Sequence, residues 1–281
     1  MGSSCDDRQV QMRTYGISGP IVIVLHGGPG AAGYLAPLAR GLAEFFRVLE
    51  PFQRGSGAEP LTVAQHIADL HEVVKNQCEA ARPAIVGSSW GAMLALAYAA
   101  AHPDSAGPLV LIGCGTFDAA ARERMQQILD ERIDGGLRLR LKHLPEEFPN
   151  PNERLRMMGE LMLPLYSYEL ATSNQEIEMC DARAYEETWA DMVRLQNQGA
   201  YPAALAAIRA PVLMLHGTFD PHPGRMILAS LKPHVRRLEY VEFENCGHYP
   251  WLEKAARARF FSALRGWLTR VLRESGQAAQ R

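Results

Sequence analysis

The sequence lacks the marks of a nucleic-acid, metal or membrane protein. Lys and Arg number 29 against 31 Asp and Glu, a net charge of −2. Without a basic surplus, general binding to nucleic acid or to an anionic membrane surface is excluded. The longest apolar run, residues 92–101, falls well short of the about 18 residues a bilayer span needs. The five cysteines (Cys5, Cys78, Cys114, Cys180 and Cys246) form no CxxC pair, and no HExxH spacing occurs. Neither a disulfide framework nor a zinc site is expected, and the thiols read as reduced, in a cytoplasmic compartment. Residues 1–6 have no apolar stretch, and Asp6 stands where a myristoylation signal needs Ser or Thr, so no secretory or lipid signal is expected there.

What is present is ordinary globular material. The chain has 281 residues, 47% hydrophobic and 21% charged, enough to bury a large core unaided. That length fits two domains or one large domain with an insertion.

Residues 21–25 (IVIVL) form a continuous apolar run between Pro20 and a glycine cluster. A strand apolar on both faces belongs inside a parallel sheet. Similar runs occupy 47–51, 83–87, 108–113 and 211–217, with an alternating run at 238–243. Helical patterns lie between them at 34–46, 63–80, 90–101, 226–231 and 255–272, and residues 10–15 suit an antiparallel edge strand. Strands alternating with helices imply βαβ units and a parallel sheet covered on both sides. One interval, 116–210, breaks this rhythm because a simple crossover needs far fewer residues. Its helical stretches at 117–133, 152–163, 184–198 and 203–208 are punctuated by prolines 145, 149, 151, 164 and 202. They read as an inserted helical cap, or else a second domain. The core then comprises 6–115 and 211–272. The polar tail from Arg273 onward reads as frayed.

Gly87-Ser88-Ser89-Trp90-Gly91 is a G-x-S-x-G pattern between a strand and a helix. In that setting the central serine, Ser89, sits on a sharp turn with its hydroxyl above the sheet. The pattern alone is weak, since composition yields it by chance in roughly one chain in ten. His26-Gly27-Gly28-Pro29-Gly30, after the first parallel strand, is far rarer. In such an architecture the loop after that strand and the residue after the nucleophile supply two backbone N–H groups to an oxyanion, here Gly28 and Trp90. An acid and a histidine are expected later, in that order. Asp220 follows the 211–217 strand and His248 follows the last one, so both fall at the same carboxyl edge as Ser89. His248 would take the Ser89 proton while Asp220 fixes its tautomer. Activity should then rise around the ordinary imidazole pKa of about 6.5.

Each choice has competitors. Asp118, just after the preceding strand, could replace Asp220. His216 reads as a turn cap, His66 and His102 as packing or surface residues, and His26 as a brace for its own loop. His222 lies near Asp220 without a glycine approach. Cys246 reads as a buried thiol.

With these elements in hand, the chain resembles the α/β-hydrolase superfamily over nearly its whole length. HGGPG at 26–30 and the elbow with Trp90 resemble the prolyl aminopeptidase (proline iminopeptidase) branch. The resemblance implies a mostly parallel sheet flanked by helices, a helical cap, and a Ser-His-Asp triad acting without cofactor or metal. It also implies cap glutamates that hold a substrate's free amine. Gln53-Arg54-Gly55 resembles the family's DQRG segment, with Phe52 in place of Asp, a change expected at the pocket wall. The cap offers Glu176, Glu178, Glu186 and Glu187 beside Tyr166, Tyr168, Tyr185 and Trp189. Gly27, Trp189, Glu186 and Glu187 are the candidate substrate contacts. The competing reading of the glutamates is a solvated helix face. The expected substrate is a small ester, amide or short peptide. A carboxylesterase, or a low-turnover ligand receptor on the same scaffold, is the alternative.

Overall fold

The computed structural model describes residues 10–78, 82–172 and 176–279. The amino-terminal expectations, the start of the core at residue 6 and Cys5 lie outside them. Seven strands form one sheet: β1 (Met12–Tyr15), β2 (Ile21–Leu25), β4 (Arg47–Pro51), β5 (Ala84–Ser88), β6 (Leu109–Ile112), β8 (Val212–Gly217) and β9 (Leu238–Phe243). Their order is β1-β4-β2-β5-β6-β8-β9. Only β1 runs antiparallel to its neighbour, as an edge strand.

Successive side chains of the central strands enter opposite cores. Ile23, Leu25, Ile85, Leu109, Leu111 and Met214 pack on one side with α2 (Val63–Gln77), α3 (Trp90–Ala101) and α8 (Gly224–Leu231). Val22, Val24, Val86, Val110, Ile112 and Leu215 pack on the other with α1 (Ala36–Leu42) and α9 (Arg257–Ala279). Both faces are therefore dry, which is why these strands read as unbroken apolar runs rather than alternating ones. Helix α3 is apolar all round and buried along almost its whole length, as a helix at the centre of a large core must be.

Between β6 and β8 the chain builds α4 (Ala119–Arg132), α5 (Gly135–Glu147), α6 (Pro151–Tyr166), α7 (Ala182–Asn197) and a 3₁₀ turn (Ala203–Ala207). A two-stranded ribbon stitches this segment to the 26–30 loop. Its strands β3 (Ala31–Ala32) and β7 (Met179–Cys180) pair antiparallel, and Asp181 N–H donates to the Gly30 carbonyl at 2.8 Å. Asp181 also N-caps α7, and its other oxygen accepts from the Ser56 N–H and hydroxyl at 2.7 and 2.8 Å. The frayed tail is corrected: α9 continues to Ala279, where Arg273, Glu274, Gln277, Ala278 and Ala279 favour a helix and offset Ser275 and Gly276. Among the described residues, no helix is long and apolar enough to cross a membrane.

Candidate active site

The elbow at the end of β5 is held in a conformation L-residues avoid. Ser89 has φ +54° and ψ −117°. The turn closes so tightly that a Cβ on Gly87 would lie 2.2 Å from the Gly91 carbonyl oxygen, and one on Gly91 2.1 Å from that of Leu25. Only glycine fits at either place. Within Gly87–Gly91, Ser89 alone is less than fully buried, so the strain lifts one hydroxyl out of the core. Trp90 begins α3, and its N–H is among those no intrahelical carbonyl can accept.

The 26–30 loop lies across from it. Gly28 lines the same cavity as Ser89. Gly27 instead packs against Ser89 and donates its N–H to Tyr34 Oη at 2.7 Å, so it does not line the cavity. His26 is the expected brace. Its Nε2 accepts the Gln53 N–H at 3.1 Å while Nδ1 lies 3.0 Å from the Gly27 carbonyl, and burial lowers its pKa to about 4. Gln53 completes the frame: its amide donates to the His26 carbonyl at 2.8 Å and accepts from Trp90 Nε1 at 2.7 Å. One glutamine thus ties the 26–30 loop to the residue after Ser89. Phe52 does not line the cavity; the Arg13 guanidinium sits over its ring.

The turns after β8 and β9 bring Asp220 and His248 together. Asp220 Oδ2 lies 2.6 Å from His248 Nδ1. Its Oδ1 accepts from both the N–H and Nδ1 of His222, each at 2.9 Å. Burial alone would raise the Asp220 carboxyl, but His248, His222 and His216 around it hold it well below the usual carboxylate range. An ionised carboxylate on Nδ1 puts the His248 proton there and leaves a lone pair on Nε2. The imidazole is packed by rings on several sides: His222 stacks at 4.7 Å, Tyr249 meets it edge-on at 5.0 Å and Tyr166 at 5.5 Å. Its backbone N–H donates to the Tyr166 carbonyl at 2.7 Å. The buried Glu253 accepts three backbone N–H groups, from Gly247, Tyr168 and Glu169, at 2.7–2.8 Å. That carboxylate fastens the histidine turn to the end of α6.

Asp220, His222 and His248 bring three atoms of metal-ligating type within 4.8 Å of one another. The two Nδ1–carboxylate contacts have hydrogen-bond lengths, and an ion among those atoms would have to break both.

Asp118 is spent elsewhere, capping α4 by accepting the Ala121 N–H at 2.8 Å. His216 donates across its turn to the His222 carbonyl at 2.9 Å. His66 is a buried packing residue bonded to Thr188, and burial pushes the Cys246 thiol up.

Ser89, His248, His222 and Gly28 open onto one cavity of about 520 Å³, large enough for a small organic ligand. Its remaining walls come largely from α4, α6 and α7, including Met125, Met162, Tyr166 and Trp189. Ser89 and His248 share this wall with no hydrogen bond between their side chains among those described. Trp189 lines the cavity and the four candidate glutamates do not. Glu186 is exposed and away from the cavity. Glu187 accepts from the Leu61 N–H and from Arg183. Glu176 pairs with Arg40 and Glu178 with Arg13.

Sequence reasoning passed over Gly113. It follows β6 with φ +53°, and a Cβ there would stand 2.7 Å from His248 Nδ1 and 3.0 Å from Asp220 Oδ2. The available signal was a glycine directly after a strand at the carboxyl edge. Gly113→Ala is expected to displace the imidazole and lower kcat/KM about 100-fold, the scale of a 1 Å misplacement. Steady-state kinetics on the folded variant, checked by thermal unfolding, reads this; full activity would show that the ring has room.

The sequence matches the alpha/beta hydrolase family over residues 22–263. It is 32% identical over 176 residues to a proline iminopeptidase of Arabidopsis thaliana, covering 58% of this chain and 43% of that protein. A 2-hydroxy-6-oxononadienedioate/2-hydroxy-6-oxononatrienedioate hydrolase of Pseudomonas putida is 27% identical over 270 residues, covering 89% of this chain and 88% of that one. The chain spans about half the length of the first proline iminopeptidases it matches. The solved structure of MenH from S. aureus superposes with a TM-score of 0.68 at 16% identity, covering 94% of this chain and all of that one. A mostly parallel sheet with a strained serine elbow and a histidine–carboxylate pair at one edge agrees with these likenesses: the chain belongs to the alpha/beta hydrolase family and resembles the prolyl aminopeptidase branch.

Proposed function

We propose that the protein is a serine hydrolase working through an acyl-enzyme on Ser89. His248 Nε2 takes the hydroxyl proton as Oγ attacks the substrate carbonyl, and Asp220 stabilises the imidazolium. The N–H groups of Gly28 and Trp90 receive the oxyanion, where losing one donor typically costs about 10²–10³ in rate. Collapse expels the leaving group with the proton from His248, and water activated by the same nitrogen releases the acid. Residues 116–210 act as a cap over a core of 6–115 and 211–272. The substrate is a small ester, amide or short peptide.

The observation that carries this reading is the meeting of a strained, accessible serine and a carboxylate-bound imidazole at one cavity wall. The missing Ser89–His248 hydrogen bond does not oppose it, because such contacts often tighten only with substrate bound. A fluorophosphonate should label Ser89 and no other residue, in step with loss of sustained ester turnover. Labelling elsewhere, or ligand binding with at most one turnover, would instead support the receptor alternative.

Between aminopeptidase and esterase, the cavity favours the esterase. A buried ammonium needs paired negative charge, and among the described residues no Asp or Glu lines the cavity. Proline 4-nitroanilide, its N-acetyl form and a short 4-nitrophenyl ester separate the two, since an aminopeptidase requires the free amine.

A further inference from the structure

The charged residues that line the cavity are all of one sign. Among the described residues its walls carry Arg122 and Arg156 and no carboxylate. Arg156 has a carboxylate partner, pairing with Glu160 one turn along α6 at 2.8 Å. Asp220, just behind the wall, is taken by two histidines. Arg122 is different. It sits in the first turns of α4, half-buried, and its hydrogen-bond partner is a neutral amide: Nη2 donates to Gln196 Oε1. That amide is itself fixed, because Gln196 Nε2 donates to the Thr116 carbonyl at 2.9 Å. Gln196 and Thr116 both line the cavity. The guanidinium is therefore held in place by a group that leaves its charge uncompensated, in a chamber whose wall also carries apolar and aromatic side chains such as Met125, Met162, Leu163 and Trp189. A cation in apolar surroundings favours an anion, and a guanidinium presents the planar fork that a carboxylate matches.

We propose that Arg122 anchors a carboxylate on the acyl part of the substrate, so that the preferred substrates are anionic. The inference rests on the serine-hydrolase reading and names its substrate class: carboxylate-bearing esters or amides whose far end reaches Arg122 while the reacting carbonyl lies at Ser89. It also explains why none of the four cap glutamates reaches the cavity, since a carboxylate there would repel this ligand.

The test compares kcat/KM for 4-nitrophenyl half-esters of the four- to eight-carbon diacids, the fatty-acid esters of equal length, and the 6-aminohexanoate ester. A charge-assisted bond predicts a preference of about 10–100-fold for the best half-ester over its neutral counterpart, with the amine poorest. Arg122→Gln should bring the ratio close to one and Arg122→Lys should retain part of it. Arg124→Gln, the same charge change on the exposed side of α4, should leave it intact. A wild-type ratio of one or less, or a ratio unmoved by Arg122→Gln, overturns the proposal. If none of these esters turns over, the serine-hydrolase reading fails, and calorimetry with the Ser89→Ala protein decides the anchor separately. Adipate or suberate binding at least tenfold tighter than adipamide, and weakened by Arg122→Gln, supports it; equal, weaker or absent binding refutes it.

Discussion

Ser89→Ala is expected to lower kcat by about 10⁶, and Asp220→Asn by about 10⁴. The second figure follows from how the carboxylate is shared. Its Oδ1 receives the His222 backbone N–H as well as the His222 ring. A backbone N–H cannot reverse its polarity, so an asparagine must keep its carbonyl oxygen on that side. Its NH₂ is then turned toward His248 Nδ1, which has to accept. The proton moves to Nε2, and the imidazole can no longer take one from Ser89. The loss should appear in kcat more than in KM, with the fold unchanged by circular dichroism. An Asp220→Asn protein within tenfold of wild type would mean that Asp220 does not set the tautomer.

The second large effect is on stability in mild acid. Burial holds the His26 and His66 pKa values at about 4, against about 6.5 in an unfolded chain. Below pH 6.5 the unfolded chain takes protons that the folded one refuses, so stability falls with pH across the window from about 6.5 to 4. By pH 5 the loss is about 2 kcal/mol per histidine, about 4 kcal/mol together. That is a large share of the 5–15 kcal/mol typical of a domain. Asp220 acts lower down: its depressed carboxyl contributes stability that is complete above the unfolded value of about 3.9 and lost as pH falls toward its folded pKa. Urea titrations at pH 7 and pH 5 should show the midpoint drop, and His66→Gln should remove about half of the pH-dependent part. Equal unfolding free energies at the two pH values would show that these rings protonate within the fold.

The elements read best from sequence are those whose signal is local. The runs at 21–25, 84–88, 109–112 and 212–217 are apolar because both faces are covered, and their β-branched content separates most of them from the equally short apolar 3₁₀ turn at Ala203–Ala207. Helix α5 was not read because Gly135, Gly136 and Pro145 all argue against a helix. Asp134 caps its first turn, where two glycines cost less than they would in the interior. The ribbon of β3 and β7 has two residues a side, too short for any periodicity, and joins segments about 150 residues apart. Asp118 and Asp220 look alike in sequence, each just after a strand. Their roles divide because one meets the amides of a helix start and the other meets two imidazoles.

By itself the sequence determined the parallel sheet, the serine turn and the loop opposite it, because each depends on residues adjacent along the chain: apolar runs, tight glycine spacing, a strand before a helix. Only the tertiary structure decided what faces the cavity. It turned four candidate glutamates outward to nearby arginines and amides, gave Asp220 a second histidine, and left Arg122 pointing inward on a neutral amide. Which side of a helix meets the site, and which charges find partners there, depends on how α4, α6 and α7 pack against one another, and no local pattern encodes that.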